Sequence, residues 1–221
     1  MNSTTARRAT GLAGLAGALL FFAGDMLFAG YIGSGSGFAD GMLAVVRHAS
    51  YARLVWGGLL GPPAACLCII GFWHVHLNVR DKSAVLARTI LVAFCVFMVA
   101  GSAVHTLWAA KGLAVKFCDG HDPACTNVVR ALQSYWTLAY NICSAPGYVA
   151  ALLLGFVVLT GRTDYPRWTI VANPAVLIAL SPLASNIPSP IGAIIVGGSA
   201  NLSIAAFFLV STATTWGRDS G

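Results

Sequence analysis

The sequence predicts an all-α protein, a polytopic bundle of six transmembrane helices that forms a single domain over residues 1–221. Hydrophobic residues make up 57% of the chain and charged residues only 9%, whereas about a quarter of a soluble domain is charged. So few charges cannot cover the surface of a soluble protein. The apolar residues also gather into runs of about 20, the length that a helix needs to cross a bilayer.

The runs are continuously apolar and do not alternate with polar residues, which favours helices over a transmembrane barrel. A signal peptide is the alternative interpretation of the first run, but that run stays apolar beyond Asp25, which favours a retained span. The predicted spans cover residues 10–31, 53–73, 87–110, 130–160, 168–186 and 190–215.

Basic residues near the span ends predict the orientation, because Lys and Arg concentrate on the cytoplasmic side of a membrane. With the N-terminus inside, eight of them lie in the cytoplasm and five outside, and Arg7 and Arg8 directly precede the first span. The sequence therefore predicts a multi-pass protein of the cell membrane with both termini in the cytoplasm. The net charge of +6 is not gathered into a basic face, so membrane lipids are the expected partners and nucleic acid is not.

Cys118 and Cys125 lie in a predicted outside loop, where an oxidising compartment permits a disulfide. A metal site that adds His121 and Asp122 to these cysteines is the weaker alternative. No cofactor is predicted within the spans, because zinc needs about three converging ligands and haem needs axial ligands at one depth.

Among the histidines, only His105 lies at the apolar level of the spans. His74 and His76 lie at the cytoplasmic end of the second span, and we interpret them as polar residues of the membrane interface.

Asp25 and His105 are ionisable residues inside predicted spans, where a charge costs about 2.5–3.5 kcal/mol, so each is expected to face a partner or a wet cavity. Each lies 17 residues beyond a cytoplasmic arginine. At a rise of 1.5 Å per residue, both lie about 25 Å from the cytoplasmic charges. We therefore take them as the candidate catalytic pair. The same counting brings three more polar side chains to this level: Ser144, Ser185 and Asn201.

Helical spacing adds candidate ligand-binding residues. On the fourth span, Gln133, Trp136, Tyr140 and Ser144 follow at intervals of three or four residues and so share one face. If this face meets those of the other spans, they line an outer-leaflet pocket that suits an amphiphile. The predicted ligand-binding residues are Arg53, Trp56, Ser102, Trp108, Trp136, Tyr140, Ser144 and Asn201.

Two functions stay open, and so does the question of whether the protein is an enzyme. In the first, the pocket binds or processes a small amphiphilic or lipid-like molecule, with Asp25 orienting His105 as a general base. In the second, the protein is a non-enzymatic subunit or small carrier whose polar residues only hold the helices together. Gly11, Gly14 and Gly17 form a small-residue surface suited to helix packing, either in the bundle or in a homo-oligomer.

Four segments carry a resemblance to a known family: Gly24–Gly30 (GDMLFAG), Leu59–Ala65 (LLGPPAA), Gly71–Asn78 (GFWHVHLN) and Ala103–Ala109 (AVHTLWA). They resemble a bacterial family of six-span membrane proteins known as a domain of unknown function. The resemblance is expected to be weaker beyond residue 150. It implies a six-span fold, and because the family has no assigned activity, it implies no site residue.

Overall fold

The structure, a computed structural model, describes residues 3–29, 45–118, 120–188 and 190–217, which are mainly helical and include no β-strand. Its first five helices are α1 (Ser3–Ala29), α2 (Tyr51–Leu59), α3 (Gly61–Val79), α4 (Ala84–Phe117) and α5 (Pro123–Leu159). The stretches long and apolar enough to cross a membrane are Thr4–Phe28, Tyr51–Val79, Ala84–Phe117 and Pro123–Leu159. The predicted all-helical fold is thus confirmed, and these helices indicate a membrane protein.

Capping residues and prolines determine where several helices begin. The side chain of Asp122 accepts a hydrogen bond from the backbone N–H of Ala124 at 2.9 Å, at the start of α5. Pro123 occupies the first turn of α5, where its missing N–H would have no partner in the helix. Pro62 lies in the first turn of α3 for the same reason, so it begins that helix and does not break it.

The C-terminal part of the chain departs from the predicted spans. The fifth predicted run is a 3-10 helix (Arg167–Ala172), the short helix α6 (Pro174–Leu180) and a second 3-10 helix (Ser181–Asn186). The sixth is α7 (Ile191–Gly197) followed by α8 (Ser199–Thr215), with a bend of 84° between them. The described residues therefore contain four helices able to cross a membrane, or five if the bent pair counts as one.

Proline and glycine account for these breaks. Asn173 ends the first 3-10 helix, and its side chain accepts a hydrogen bond from the N–H of Ala175 at 2.9 Å as α6 begins at Pro174. Gly198 separates α7 from α8, and a Cβ at this position would collide with the ring of Phe22 on α1. Because hydropathy counts apolar residues without regard to such breaks, the sequence predicted two continuous spans here.

Helix α1 packs against α3 and α8 through its glycines. A Cβ at Gly14 would lie 2.6 Å from the ring of Phe208, and a Cβ at Gly17 would lie 2.7 Å from the backbone of α3. The small-residue surface of α1 is therefore occupied within the chain. Behind it, the rings of Phe72 and Phe94 stack with centroids 3.9 Å apart and form the centre of the core.

A buried polar network closes the end of the bundle at which α1 begins. The ring of His74, which is 0% exposed, contacts the backbone carbonyl of Arg7 through Nδ1 and the hydroxyl of Ser211 through Nε2, both at 2.9 Å. Because a carbonyl can only accept, Nδ1 donates the first of these bonds. The hydroxyls of Ser211 and Tyr165 lie 2.8 Å apart, and burial raises the pKa of Tyr165 above its usual range. The prediction that His74 is an interfacial residue is wrong, because α1 and α8 cover it.

At the opposite end of the bundle, Cys118 and Cys125 form the predicted disulfide, with their Cα atoms 5.5 Å apart. The disulfide joins the C-terminal end of α4 to the N-terminal end of α5 and so holds these two helix ends together. Across the described ranges, no three His, Cys, Asp or Glu side chains gather in a way that could hold a metal ion.

Candidate functional site

A cavity of about 760 Å³ lies between α4, α5 and the C-terminal helices, with part of its wall from α1. This volume falls within the range of about 300–1,000 Å³ that is typical of small-molecule sites. Its lining on α4 extends from Phe94 to Val115, which is about 31 Å at a rise of 1.5 Å per residue. The cavity is therefore a long slot that runs parallel to the helices.

The slot exists because the first half of α5 packs only loosely against the bundle, with Val129 partly buried against the core near Val115. The buried residues of α5 begin at Ser144, and none of residues 123–143 is buried. At Gly147 the two helices are close, since a Cβ there would lie 2.8 Å from the ring of Phe97 on α4. Helix α5 is thus buried in the bundle only along its C-terminal half, and its N-terminal half forms one wall of the cavity.

Asp25 and His105 lie side by side in the cavity lining, with Nδ1 of His105 3.7 Å from Oδ1 of Asp25. The Asn201 side chain donates a hydrogen bond to the other carboxyl oxygen at 2.6 Å. Nε2 of His105 lies 2.9 Å from the carbonyl of Gly57, so Nε2 carries a proton and donates. Nδ1 and the carboxyl oxygen then face each other, and they attract only if a proton resides on one of them. At 3.7 Å the two atoms are too far apart for a hydrogen bond, so the attraction between a protonated ring and the carboxylate is that of an ion pair.

Glycines make room for the His105 ring. A Cβ at Gly24 would lie 2.6 Å from Nε2 of His105, and a Cβ at Gly61 would lie 3.1 Å from its Cδ2. The rings of Phe21 and Phe28 contact the imidazole at centroid distances of 5.4 and 5.2 Å. Three of the four segments that carry the family resemblance, those with Gly24, Gly61 and His105, thus meet at one histidine.

A lysine in an aromatic surrounding forms the second polar part of the lining. The Lys111 residue is only 3% exposed, and its Nζ lies 3.1 Å from the ring centroid of Trp108 and 4.5 Å from that of Trp136. Nζ also donates a hydrogen bond to the side-chain oxygen of Gln133 at 2.8 Å. The Trp136 ring stacks on Tyr140 with centroids 5.2 Å apart, which extends the aromatic surface towards Asp25 and His105.

Most of the predicted site residues lie around this cavity. It is lined by Asp25, His105, Trp108, Trp136, Tyr140, Ser144 and Asn201. Three others are placed elsewhere: Arg53, Trp56 and Ser102.

These three residues have local reasons for lying outside the lining. Arg53 donates hydrogen bonds to the carbonyls of Leu27 at 2.6 Å and Met26 at 3.3 Å, near the C-terminal end of α1. Trp56 is 60% exposed on the outside of the bundle. Ser102 follows Gly101, which does line the cavity, and one residue along a helix turns a side chain by about 100°.

Sequence reasoning missed Lys111 as a site residue and treated it only as a charge that sets orientation. A signal was present, because Lys111 lies three residues after Trp108 and so shares a face of α4 with a predicted ligand-binding residue. The sequence placed Gln133, which accepts the hydrogen bond from Lys111, on the same face of α5 as Trp136 and Tyr140. No local sequence pattern indicates that this face lies against α4.

The profile of one protein family, described as "Family of unknown function (DUF6796)", matches residues 1–216. The match confirms the resemblance to an uncharacterised family and continues well beyond residue 150. No curated protein and no solved structure matches the chain.

Proposed function

The chain belongs to the Family of unknown function (DUF6796), and because that family has no assigned activity, we propose a function from the geometry of this chain. The protein binds or processes a small amphiphilic or lipid-like molecule in the cavity along α4. The observation that carries this proposal is the change in polarity along the slot. Lys111 and Gln133 lie in one part of the lining, Asp25 and His105 in the middle, and an apolar surface lies beyond them.

The apolar part suits an alkyl chain. Its side chains on α4, α6 and α8 are aromatic or aliphatic: Phe94, Phe97, Met98, Ile178 and Ile204. A tail that enters from the bilayer leaves one apolar environment for another, so the slot accepts it through close packing with these side chains and not by removing it from water. The open first half of α5 offers a sideways entrance from the membrane to such a molecule.

The proposal includes the membrane topology. The chain crosses the bacterial inner membrane six times, with the broken segments 167–186 and 191–215 acting as the fifth and sixth crossings. Both termini lie in the cytoplasm, and the Cys118–Cys125 disulfide lies outside, where oxidation is permitted. In this orientation Lys111 is at the outer end of the slot, and the apolar end extends past the membrane centre, since Phe94 lies six residues, or about 9 Å, beyond Arg88.

If the molecule is processed as well as bound, the Asp25–His105 pair supplies the acid–base chemistry. The His105 ring is held by the carbonyl of Gly57, and Nδ1 faces the carboxyl group of Asp25 at 3.7 Å. With Nε2 donating to Gly57, Nδ1 of the neutral ring is the atom that would take a proton from a ligand in the slot, and the Asp25 carboxylate would stabilise the resulting charge.

The alternative is a non-enzymatic subunit or small carrier in which the polar residues only hold the helices together. It is favoured by one observation: Asp25, Asn201 and His105 already bind each other or the backbone. In that case the cavity has no specific occupant, and filling it leaves binding unchanged.

Gly101 allows a direct test, because it lines the cavity and a Cβ built on it meets no atom within 4 Å. Gly101→Phe therefore fills the slot without disturbing the packing, and Gly101→Ala is the matched control. The purified variants are compared by native mass spectrometry in a steroid-based detergent, with dodecyl phosphate, dodecylphosphocholine and dodecyltrimethylammonium as added probes. Thermal unfolding of each variant is recorded in the same detergent.

We expect wild type and Gly101→Ala to retain at least one of the probes and Gly101→Phe to lose it by about tenfold or more, at an unchanged unfolding temperature. The reason is steric, since a benzyl group occupies the space of the alkyl chain. Equal retention by Gly101→Phe, or no retention by any variant, would contradict the proposal and favour the structural alternative.

A further inference from the structure

We propose that the amphiphile carries an anionic head group, a phosphate or a carboxylate, and that Lys111 is the residue that receives it. This inference rests on the proposed function and adds the chemical class of the ligand. It starts from the charge of the lining and not from its shape.

Within the described ranges, no carboxylate pairs with the buried cation Lys111. Its residue is 3% exposed, and no carboxylate of the described ranges lies within ion-pair distance of Nζ. An ammonium group has three N–H donors, and here a single neutral oxygen, that of Gln133, accepts one of them at 2.8 Å. The faces of Trp108 and Trp136 attract the charge but accept no conventional hydrogen bond. A buried cation in this state is stabilised by an anion that enters beside it.

Other donors lie in the same part of the lining. Arg130 on α5 also lines the cavity. Within the described part of the protein, its guanidinium donates a hydrogen bond only to the neutral side-chain oxygen of Asn127, at 3.4 Å. The indole Nε1 of Trp136 is buried and has no acceptor within the described part of the protein. An anionic oxygen beside Lys111 would offer an acceptor to this group as well. Two cations and a buried N–H without an acceptor among the described residues therefore belong to the lining of this cavity.

Among the described residues of the lining, the only carboxylate is that of Asp25, and it lies at a different level from Lys111. Asp25 contacts His105, which lies six residues before Lys111 on α4, or about 9 Å along the helix axis. Asn201 also donates a hydrogen bond to it. Asp25 forms no ion pair with Lys111, and it is oriented towards its own partners. The cation end of the slot is left with a net positive charge that favours an anion over a zwitterion or a cation.

The lining of the slot also favours an amphiphile over a free anion. Beyond Asp25 the slot is apolar for several helical turns, and a free phosphate would leave that part unused. An alkyl chain with an anionic end would use both parts at once.

The test compares four probes of stated chemistry: dodecyl phosphate, dodecylphosphocholine, dodecyltrimethylammonium and inorganic phosphate. Binding is measured by native mass spectrometry in the steroid-based detergent on wild type, Lys111→Met, Lys111→Arg and the control Lys116→Met. Methionine retains the packing of the lysine stem without its charge. Lys116 is a half-buried lysine of the same helix that does not line the cavity, so its variant controls for the loss of a positive charge from α4 outside the site.

We expect wild type to bind dodecyl phosphate about tenfold more tightly than the other two amphiphiles, since hydrogen bonds to charged groups contribute most. Lys111→Met should lose this preference, Lys111→Arg should retain part of it, and Lys116→Met should behave like wild type. If Lys111→Met does not fold, Arg130→Gln at an exposed position gives a second test, with a loss of several-fold expected.

The outcomes distinguish the two proposals. If all three amphiphiles bind equally and Gly101→Phe releases them, the proposed function stands and the anionic head group is wrong. If inorganic phosphate alone competes fully with dodecyl phosphate, the site binds a free anion, and the amphiphile is overturned. If no amphiphile is retained by wild type, the proposed function itself fails.

Discussion

Gly24→Ala should destabilise the protein by about 2 kcal/mol, because the added methyl group meets the His105 ring. The new Cβ would lie 2.6 Å from Nε2 of His105 and 3.0 Å from the carbonyl of Gly57. These are the two atoms of the hydrogen bond that holds the ring. The ring cannot move aside freely, since Phe21 and Phe28 contact it at centroid distances of 5.4 and 5.2 Å.

The magnitude follows from three contributions. Overpacking of a tight contact costs about 1–3 kcal/mol, and weakening the bond from His105 to Gly57 costs about 1 kcal/mol. Alanine stabilises a helix interior by about 1 kcal/mol relative to glycine, which offsets part of the loss. For a chain of this size, a net loss of about 2 kcal/mol lowers the unfolding temperature by about 4–8 °C.

Gly101→Ala is the matched control, because it is also a glycine-to-alanine change inside a helix but has no atom within 4 Å of its new Cβ. It should leave stability unchanged or raise it by up to about 1 kcal/mol. Thermal unfolding in detergent, followed by circular dichroism, measures both variants. If Gly24→Ala is as stable as Gly101→Ala, the His105 ring is not wedged against α1, and the close packing argued for this site is incorrect.

Two further substitutions examine the polar contacts. Asn201→Leu removes the amide that donates a hydrogen bond to Asp25 at 2.6 Å. We expect this variant to lose about 1–3 kcal/mol of stability in the same unfolding assay. An unchanged stability would mean that water or a ligand replaces the amide. Ser211→Ala removes the hydroxyl that lies between His74 and Tyr165 and should cost a similar amount, whereas the exposed control Ser185→Ala should cost less than about 0.5 kcal/mol. Equal effects of the two serine variants would contradict a specific role for the buried network.

Counting residues along the chain was informative about depth. Asp25 and His105 were placed at one level from their distance to arginines predicted to be cytoplasmic, and their side chains lie 3.7 Å apart. Asn201, assigned to the same level, binds Asp25 directly. This worked because α1, α4 and α8 are continuous helices through that level, so a constant rise per residue applies.

The same counting failed where the backbone is irregular. Ser185 was assigned to the polar level, but it lies in a 3-10 helix and does not line the cavity. A 3-10 helix rises about 2.0 Å per residue, and the segment 167–186 changes helix type twice, so depth cannot be counted through it.

The sequence by itself determined the helical class, the membrane character, the disulfide and the polar positions on each helix. These follow from composition and periodicity, which are properties of residues near one another in the chain. Only the tertiary structure decided which faces meet. It placed Arg53 on the carbonyls at the end of α1, and it brought Lys111 against Trp136. It also determined the slot beside the first half of α5, where no residue is buried. The sequence could not predict this slot, because a cavity depends on the distance between helices and no local pattern contains that distance.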